Sequence, residues 1–110
     1  MHIPDRIYGI ENEFGVIHEK EDGTWEESRS ALIAQCYNST SESVSCIVSS
    51  GRIWHSNGSC SYIDTGEHPE HASAECRLIK EAVCYAKAGE MLITSLFSRR
   101  LKDNSRLLLF

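Results

Sequence analysis

Residues 6–18, RIYGIENEFGVIH, alternate between apolar and polar positions with a period of two. Tyr8, Ile10, Phe14 and Val16 fall on one side of an extended chain, and Gly9, Glu11, Glu13 and Gly15 on the other. The pattern predicts one strand with an apolar and an acidic face. The polar stretch EKEDG supplies a turn. Thr24 with Glu27 three residues on then has the form of a capping box, which predicts a helix to about Tyr37 with Leu32, Ile33, Cys36 and Tyr37 as its buried stripe. Residues 38–50 are rich in Ser and Thr and read as a loop, with Val44, Cys46, Ile47 and Val48 leaving room for a short strand.

Residues 51–55 and 60–64 flank SNGS, and an Asn-Gly pair between two extended runs predicts a hairpin. In its second strand Cys60, Tyr62 and Asp64 share a face, and Ser61 and Ile63 share the opposite one. The following TGEHPEHASAE reads as a loop, because Pro69 argues against regular pairing, and Ser73 is placed to cap a helix. From 74 to about 100, Leu78, Ile79, Ala82, Val83, Ala86, Ile93, Leu96 and Phe97 recur with a 3.6-residue period, which predicts one long amphipathic helix. Residues 106–110 read as a buried strand.

A length of 110 residues fits a single domain, and 41% hydrophobic with 25% charged residues excludes a disordered or collagen-like chain. The net charge of -5 leaves no basic stripe for phosphates, so nucleic acid is not an expected partner. The longest apolar runs fall well short of the ~20 residues that span a bilayer, and residues 1–6 carry no signal-peptide pattern. A soluble, cytoplasmic protein with no membrane partner is expected. The five cysteines are odd in number and form no CxxC pair, which favours buried reduced thiols over a zinc site or disulfides.

Together these elements predict an α+β domain, a sheet with helices on one side, whose polar face carries Glu11, Glu13, Tyr62 and Asp64. Two glutamates at i and i+2 stand only about 7 Å apart and repel unless a cation lies between them. Carboxylate oxygens suit Mg2+, usually beside water and phosphate oxygens. A divalent metal with a nucleotide is one reading; a solvated face with two exposed acids is the other, and the commoner outcome of such spacing. His68 and His71 beside Glu67 and Glu70 likewise read either as metal ligands or as an ordinary solvated loop. There is no GxxxxGK[ST], GxGxxG or GxSxG, which argues against a phosphate loop and against a serine hydrolase.

The motifs taken together add a resemblance. RIYGIENEFGV at 6–16, NG-x-x-x-Y-x-D-x-G-x-HPE-x-A at 57–72, ASAEC at 72–76 and KAGE at 87–90 resemble the N-terminal part of the Pup ligase (proteasome accessory factor A) and Pup deamidase family. The matches recur in order over nearly the whole chain and are weakest at 18–56. The resemblance implies a glutamine-synthetase-like carboxylate-amine ligase fold, an antiparallel sheet cradle backed by helices that holds ATP and Mg2+. It makes residues 1–110 the N-terminal portion of a catalytic domain, incomplete in this chain.

Carried over residue by residue, the resemblance implies that Glu11, Tyr62 and Glu70 hold the magnesium, with Glu13 as a second carboxylate of the cradle. It makes Asp64 the catalytic base and Ser73 a nucleotide contact. The family's arginine four residues before the aspartate is replaced by Cys60, which removes a phosphate-binding cation, so Cys60→Arg is expected to strengthen ATP binding. Three residues, Thr65, Gly66 and Glu67, separate Asp64 from HPE, and the stretch before Asn57 is too short for a long insertion; both favour the ligase over the deamidase. The implied partners are a small Pup-like protein modifier, phosphorylated on its C-terminal glutamate side chain, and target proteins whose lysine completes an isopeptide bond. Family members are several-fold longer, so the isolated chain is expected to be inactive alone. The alternative is a non-catalytic degenerate fragment or binding module.

Overall fold

The hairpin marked by Asn57 and Gly58 forms the middle of the larger of two antiparallel sheets in the computed structural model, which describes residues 5–27, 33, 46–49, 52–98 and 104–109. Its strands β5 (Arg52–His55) and β6 (Cys60–Ile63) pair with Arg52 opposite Tyr62 and Trp54 opposite Cys60. Gly58 has φ 85° in the turn, a conformation that glycine adopts without steric cost. The Asn57 side-chain oxygen closes the turn by accepting from the Ser59 amide at 3.0 Å and the Ser59 hydroxyl at 2.6 Å. Outward from the hairpin lie β4 (Cys46–Ser49) on one side and β7 (Pro69–Ala72) then β1 (Glu11–Glu13) on the other, in the order β1-β7-β6-β5-β4. The short strand suspected within 38–50 is thus β4.

Pro69 does not keep its stretch out of the sheet. It is the first residue of β7, opposite Ile63, a position where a missing N–H is tolerated, and its carbonyl accepts the Phe14 amide at 3.0 Å. Residues 6–18 are extended as expected but do not form one strand. Tyr8 makes an isolated bridge to Cys76, β1 joins the large sheet, and β2 (Val16–Glu19) enters a second sheet of order β3-β2-β8 with β3 (Trp25–Glu27) and β8 (Arg106–Leu109). A period of two survives a bend, so alternation alone does not reveal a change of partner.

The helix expected from the Thr24–Glu27 pattern does not start there. Thr24 bonds back to Asp22, through its hydroxyl at 2.6 Å and its amide at 2.9 Å, so it closes a turn and Trp25–Glu27 pair with β2. Ile33 is helical and fully buried, while Leu32, Cys36 and Tyr37 lie outside the described residues.

The long helix α1 (Ile79–Phe97) starts later than expected. Ser73 is not its cap: the Ser73 hydroxyl accepts the Ile10 amide at 2.9 Å and donates to the Ala74 carbonyl at 3.0 Å. Glu81 serves instead, its carboxylate accepting the amides of Leu78 and Arg77 at 3.1 and 3.2 Å. The buried stripe is Ala82, Ala86, Gly89, Ile93, Leu96 and Phe97, whereas Leu78, Ile79 and Val83, expected inside, are exposed. Gly89 sets that phase, since a Cβ there would come within 2.2 Å of the His71 ring, and only a bare backbone lets α1 lie so close to β7.

Beneath α1 the core gathers Val16, Ile33, Ile53, Ile93, Leu96, Phe97 and Leu107. Among the described cysteines Cys60 and Cys76 are buried free thiols, but Cys84, on the outer side of α1, is exposed. No described helix is long and apolar enough to cross a membrane. The architecture is α+β with antiparallel sheets, as expected.

Candidate functional site

Residues directly opposite each other in an antiparallel ladder project to the same face. The registers of the large sheet therefore build one lateral row, Glu13–Glu70–Tyr62–Arg52, and a second, Glu11–Ala72–Cys60–Trp54, on the same face. One residue along each strand, Asn12, His71, Ser61 and Ile53 form a row on the opposite face, where α1 packs and the Asn12 side-chain amide donates to the Ala86 carbonyl at 3.3 Å. The alternation in the sequence thus becomes a polar open face and a covered face.

On the open face Tyr62 is the hub. Its hydroxyl donates to a Glu11 carboxylate oxygen and also meets Glu70. Burial first, and then these two carboxylates, push the phenol's pKa far up, so the ring remains a neutral, protonated link between two acids. The structure therefore brings together Glu11, Tyr62 and Glu70, the three residues singled out as metal ligands. All three offer hard oxygen donors on one accessible face, the chemistry that Mg2+ takes, so the residues present fit that ion.

A second group stands at the end of the same face. Asp64 follows β6 and accepts the His68 amide at 2.8 Å, while His68 Nδ1 lies 2.6 Å from Glu13 Oε1. The donor atoms of Glu13, Asp64 and His68 all fall within 4.8 Å of one another. The turn between Asp64 and His68 shapes this corner: Glu67 takes φ 65°, and a Cβ on Gly66 would sit 3.2 Å from both Asp64 Oδ2 and His68 Nδ1. A cleft of about 840 Å³ opens beside it, lined by Gly66, Glu67 and His68 from the turn and by Val16, Trp25 and Glu26 from the smaller sheet.

His68 and His71 do not form a pair. His68 faces the acids, whereas His71 is 2% exposed on the covered face, its Nδ1 2.8 Å from the Ser61 hydroxyl. Ser73 does not project into the acidic group; its hydroxyl is held against the backbone just before Glu11. Arg52 is the residue that sequence reasoning missed. Its guanidinium carbon lies 4.2 Å from the centre of the Tyr62 ring and it also reaches the Cys60 thiol. The signal was the hairpin itself, which sets position 52 across from position 62 once the length of its turn is known.

Comparison with known proteins fits this geometry. A family model described as Pup-ligase protein matches residues 6–110. The chain belongs to the Pup-ligase family. It is 34% identical over 103 residues to the Pup--protein ligase of Renibacterium salmoninarum, covering 88% of this chain and 20% of that protein. To the Pup--protein ligase of Saccharomonospora viridis it is 36% identical over 107 residues, covering 89% and 21%. Its structure is similar to the ligase in the crystal structure of the complex between Prokaryotic Ubiquitin-like Protein Pup and its Ligase PafA. There the TM-score is 0.73 at 26% identity, over 96% of this chain and 22% of the other. The chain thus spans about a fifth of the length of the relatives it matches.

Proposed function

We propose that the native gene product containing these residues joins the C-terminal glutamate side chain of a small Pup-like protein modifier to a target lysine, at the expense of ATP and with Mg2+. The observation that carries this reading is the convergence of Glu11, Tyr62 and Glu70 on one sheet face, with Asp64 at the end of that face, in a chain of the Pup-ligase family. Glu11, Tyr62 and Glu70 would hold Mg2+, which when bound neutralises charge on phosphate oxygens. The glutamate carboxylate takes the γ-phosphoryl group of ATP, releasing ADP, and the resulting acyl phosphate is attacked by the lysine amine, with phosphate as the leaving group.

Asp64 takes the proton from that amine. It lies on the open face, and the His68 amide fixes one of its oxygens while the small Gly66 leaves space over the other. Through its hydroxyl Tyr62 also orients Glu11 on that face. Ser73, the expected nucleotide contact, has its hydroxyl on the backbone at Ile10 and Ala74, so its contribution is to fasten the chain next to Glu11. The ligase reading is preferred to the deamidase because the curated relatives matched are Pup--protein ligases and because three residues separate Asp64 from HPE.

The test is conjugation of a fluorescent modifier ending in glutamate to a lysine-bearing protein, with Mg-ATP binding followed in parallel. Glu11→Gln is expected to weaken both binding and conjugation. Deamidation of a modifier ending in glutamine, without conjugation, would overturn the ligase reading in favour of the deamidase; binding of neither nucleotide nor modifier would leave a non-catalytic module.

A further inference from the structure

We propose that Arg52 is a polyphosphate-binding residue of this face, receiving the phosphate chain of the nucleoside triphosphate; the proposal rests on the reading of the face as a Mg-ATP site. The open face is crowded with negative charge from Glu11, Glu13, Glu70 and Asp64, and a triphosphate brings more of the same sign. Arg52 stands in the row that begins with Glu13, directly opposite Tyr62. Among the described residues no carboxylate pairs with it, so its charge is not already spent on a protein acid.

Its orientation suits the role. The guanidinium lies over the Tyr62 ring with 4.2 Å between its carbon and the ring centre. Cation–π attraction holds the group against a tyrosine that the two glutamates in turn hold in place. Packing against the ring occupies one side of the guanidinium and leaves N–H donors at its edge for the fork-like contacts that phosphate oxygens accept.

Cys60 is the other half of the arrangement. It lies on the same face, diagonal to Arg52 across the β5–β6 ladder, and its thiol is small and within reach of the guanidinium. A short side chain there gives Arg52 its place over the tyrosine. A second guanidinium at position 60 would meet the first, and like charges at that spacing repel. The expectation attached to Cys60 therefore changes: the cation is supplied from the neighbouring strand, and Cys60→Arg alone does not strengthen ATP binding.

The experiment measures Mg-ATP and adenosine binding by fluorescence titration and calorimetry in the native gene product, as wild type, Arg52→Ala, Arg52→Lys, Cys60→Arg and the double variant Arg52→Ala/Cys60→Arg. Arg52→Ala is expected to weaken Mg-ATP about 10- to 100-fold, the usual range for losing hydrogen bonds to a charged group, and to leave adenosine unchanged. Arg52→Lys should recover part of the loss, because a point charge returns without the planar fork. Cys60→Arg alone should bind no tighter than wild type, and in the Arg52→Ala background it should restore affinity. Equal Mg-ATP affinity of wild type and Arg52→Ala would overturn the proposal, as would an equal loss for adenosine, which would mark a structural role. A stronger Cys60→Arg single variant would also overturn it. Failure of the wild type to bind Mg-ATP would instead defeat the Mg-ATP reading itself.

Discussion

On the open face of the five-stranded sheet the row Glu13, Glu70, Tyr62 and Arg52 meets solvent, whereas one residue along each strand Asn12, His71, Ser61 and Ile53 face α1. Both rows are largely polar, but they solve different problems. On the covered face the Ser61 hydroxyl bridges two imidazoles, 2.8 Å from His55 Nε2 and 2.8 Å from His71 Nδ1, and the rings stand 5.6 Å apart. Burial lowers the pKa of His55, and burial with the neighbouring His55 takes His71 down to about 4, so both rings are held neutral. The covered network is polar without charge, with one serine hydroxyl shared between the two rings. On the open face acids are instead held close to one another, a local cost in stability that a bound cation would relieve. Substitutions on one face should therefore move activity, and those on the other should move stability.

The strongest break of that contrast is Asp64→Asn. If Asp64 is the base, conjugation falls by ~10²- to 10⁴-fold while Mg-ATP binding persists, since Glu11, Tyr62 and Glu70 remain. Thermal unfolding should be almost unchanged, because Asp64 is not part of the core. Near wild-type conjugation by Asp64→Asn would remove it from the mechanism.

Next in size is the acid response of the covered face. His71 has an ordinary value of 6.5 and about 4 in the fold, so between these the unfolded chain takes up a proton that the fold excludes. The stabilisation is full above about pH 6.5 and is lost as the pH falls towards 4, at up to about 1.4 kcal/mol per unit, with His55 acting in the same direction. Glu26, lowered by Lys20 and then His18, loses its contribution only below its ordinary 4.5, so the upper part of the window isolates the imidazoles. Urea midpoints across this window should fall with pH in the wild type and much less in His71→Asn.

This covered face was hardly legible in the sequence, and the reason is physical. His71 sits beside His68 in a stretch that reads either as metal ligands or as an ordinary solvated loop. Only the pairing of β7 with β6 and β1 turns the two in opposite directions. The hairpin at Asn57 and the terminal strand β8 were legible because local turn chemistry and apolar runs specify them without distant partners. The acids Glu11 and Glu13 were legible as a pair, but their meeting with Tyr62 and Glu70 came from family resemblance, since register between distant strands is a tertiary property. The start of α1 was misjudged for a related reason: a serine can satisfy a strand amide, here that of Ile10, as well as a helix end. Arg52 shows the same limit on the open face.

Smaller, and confined to the helix side, is Gly89→Ala. Alanine favours helix by up to about 1 kcal/mol over glycine, so an exposed site would gain stability. Here the added methyl meets His71 Cδ2 at 2.2 Å, and α1 must lift from β7 or the ring must leave Ser61. A net loss of about 1–3 kcal/mol in chemical denaturation is expected, with Mg-ATP affinity changed far less. A gain in stability would mean that the helix and His71 are not in the contact that separates the two faces.

The smallest effect on stability belongs to Glu13→Gln, and it sharpens the comparison most. The Glu13–His68 hydrogen bond is short, 2.6 Å, yet the side chains are 54% and 43% exposed, and polar contacts of that exposure contribute ~0–1 kcal/mol. Removing the charge also relieves repulsion from Glu70, directly opposite Glu13, so the two changes oppose each other and the melting temperature should scarcely move. Mg-ATP affinity should nevertheless fall several-fold if Glu13 belongs to the cradle, because its carboxylate stands with Asp64 and His68 at one corner of the proposed nucleotide site. Melting and binding measured on the same preparation separate the possibilities. A drop in melting temperature as large as that of Gly89→Ala would place Glu13 among the groups that hold the fold, and the division of labour between the two faces would fail at its edge.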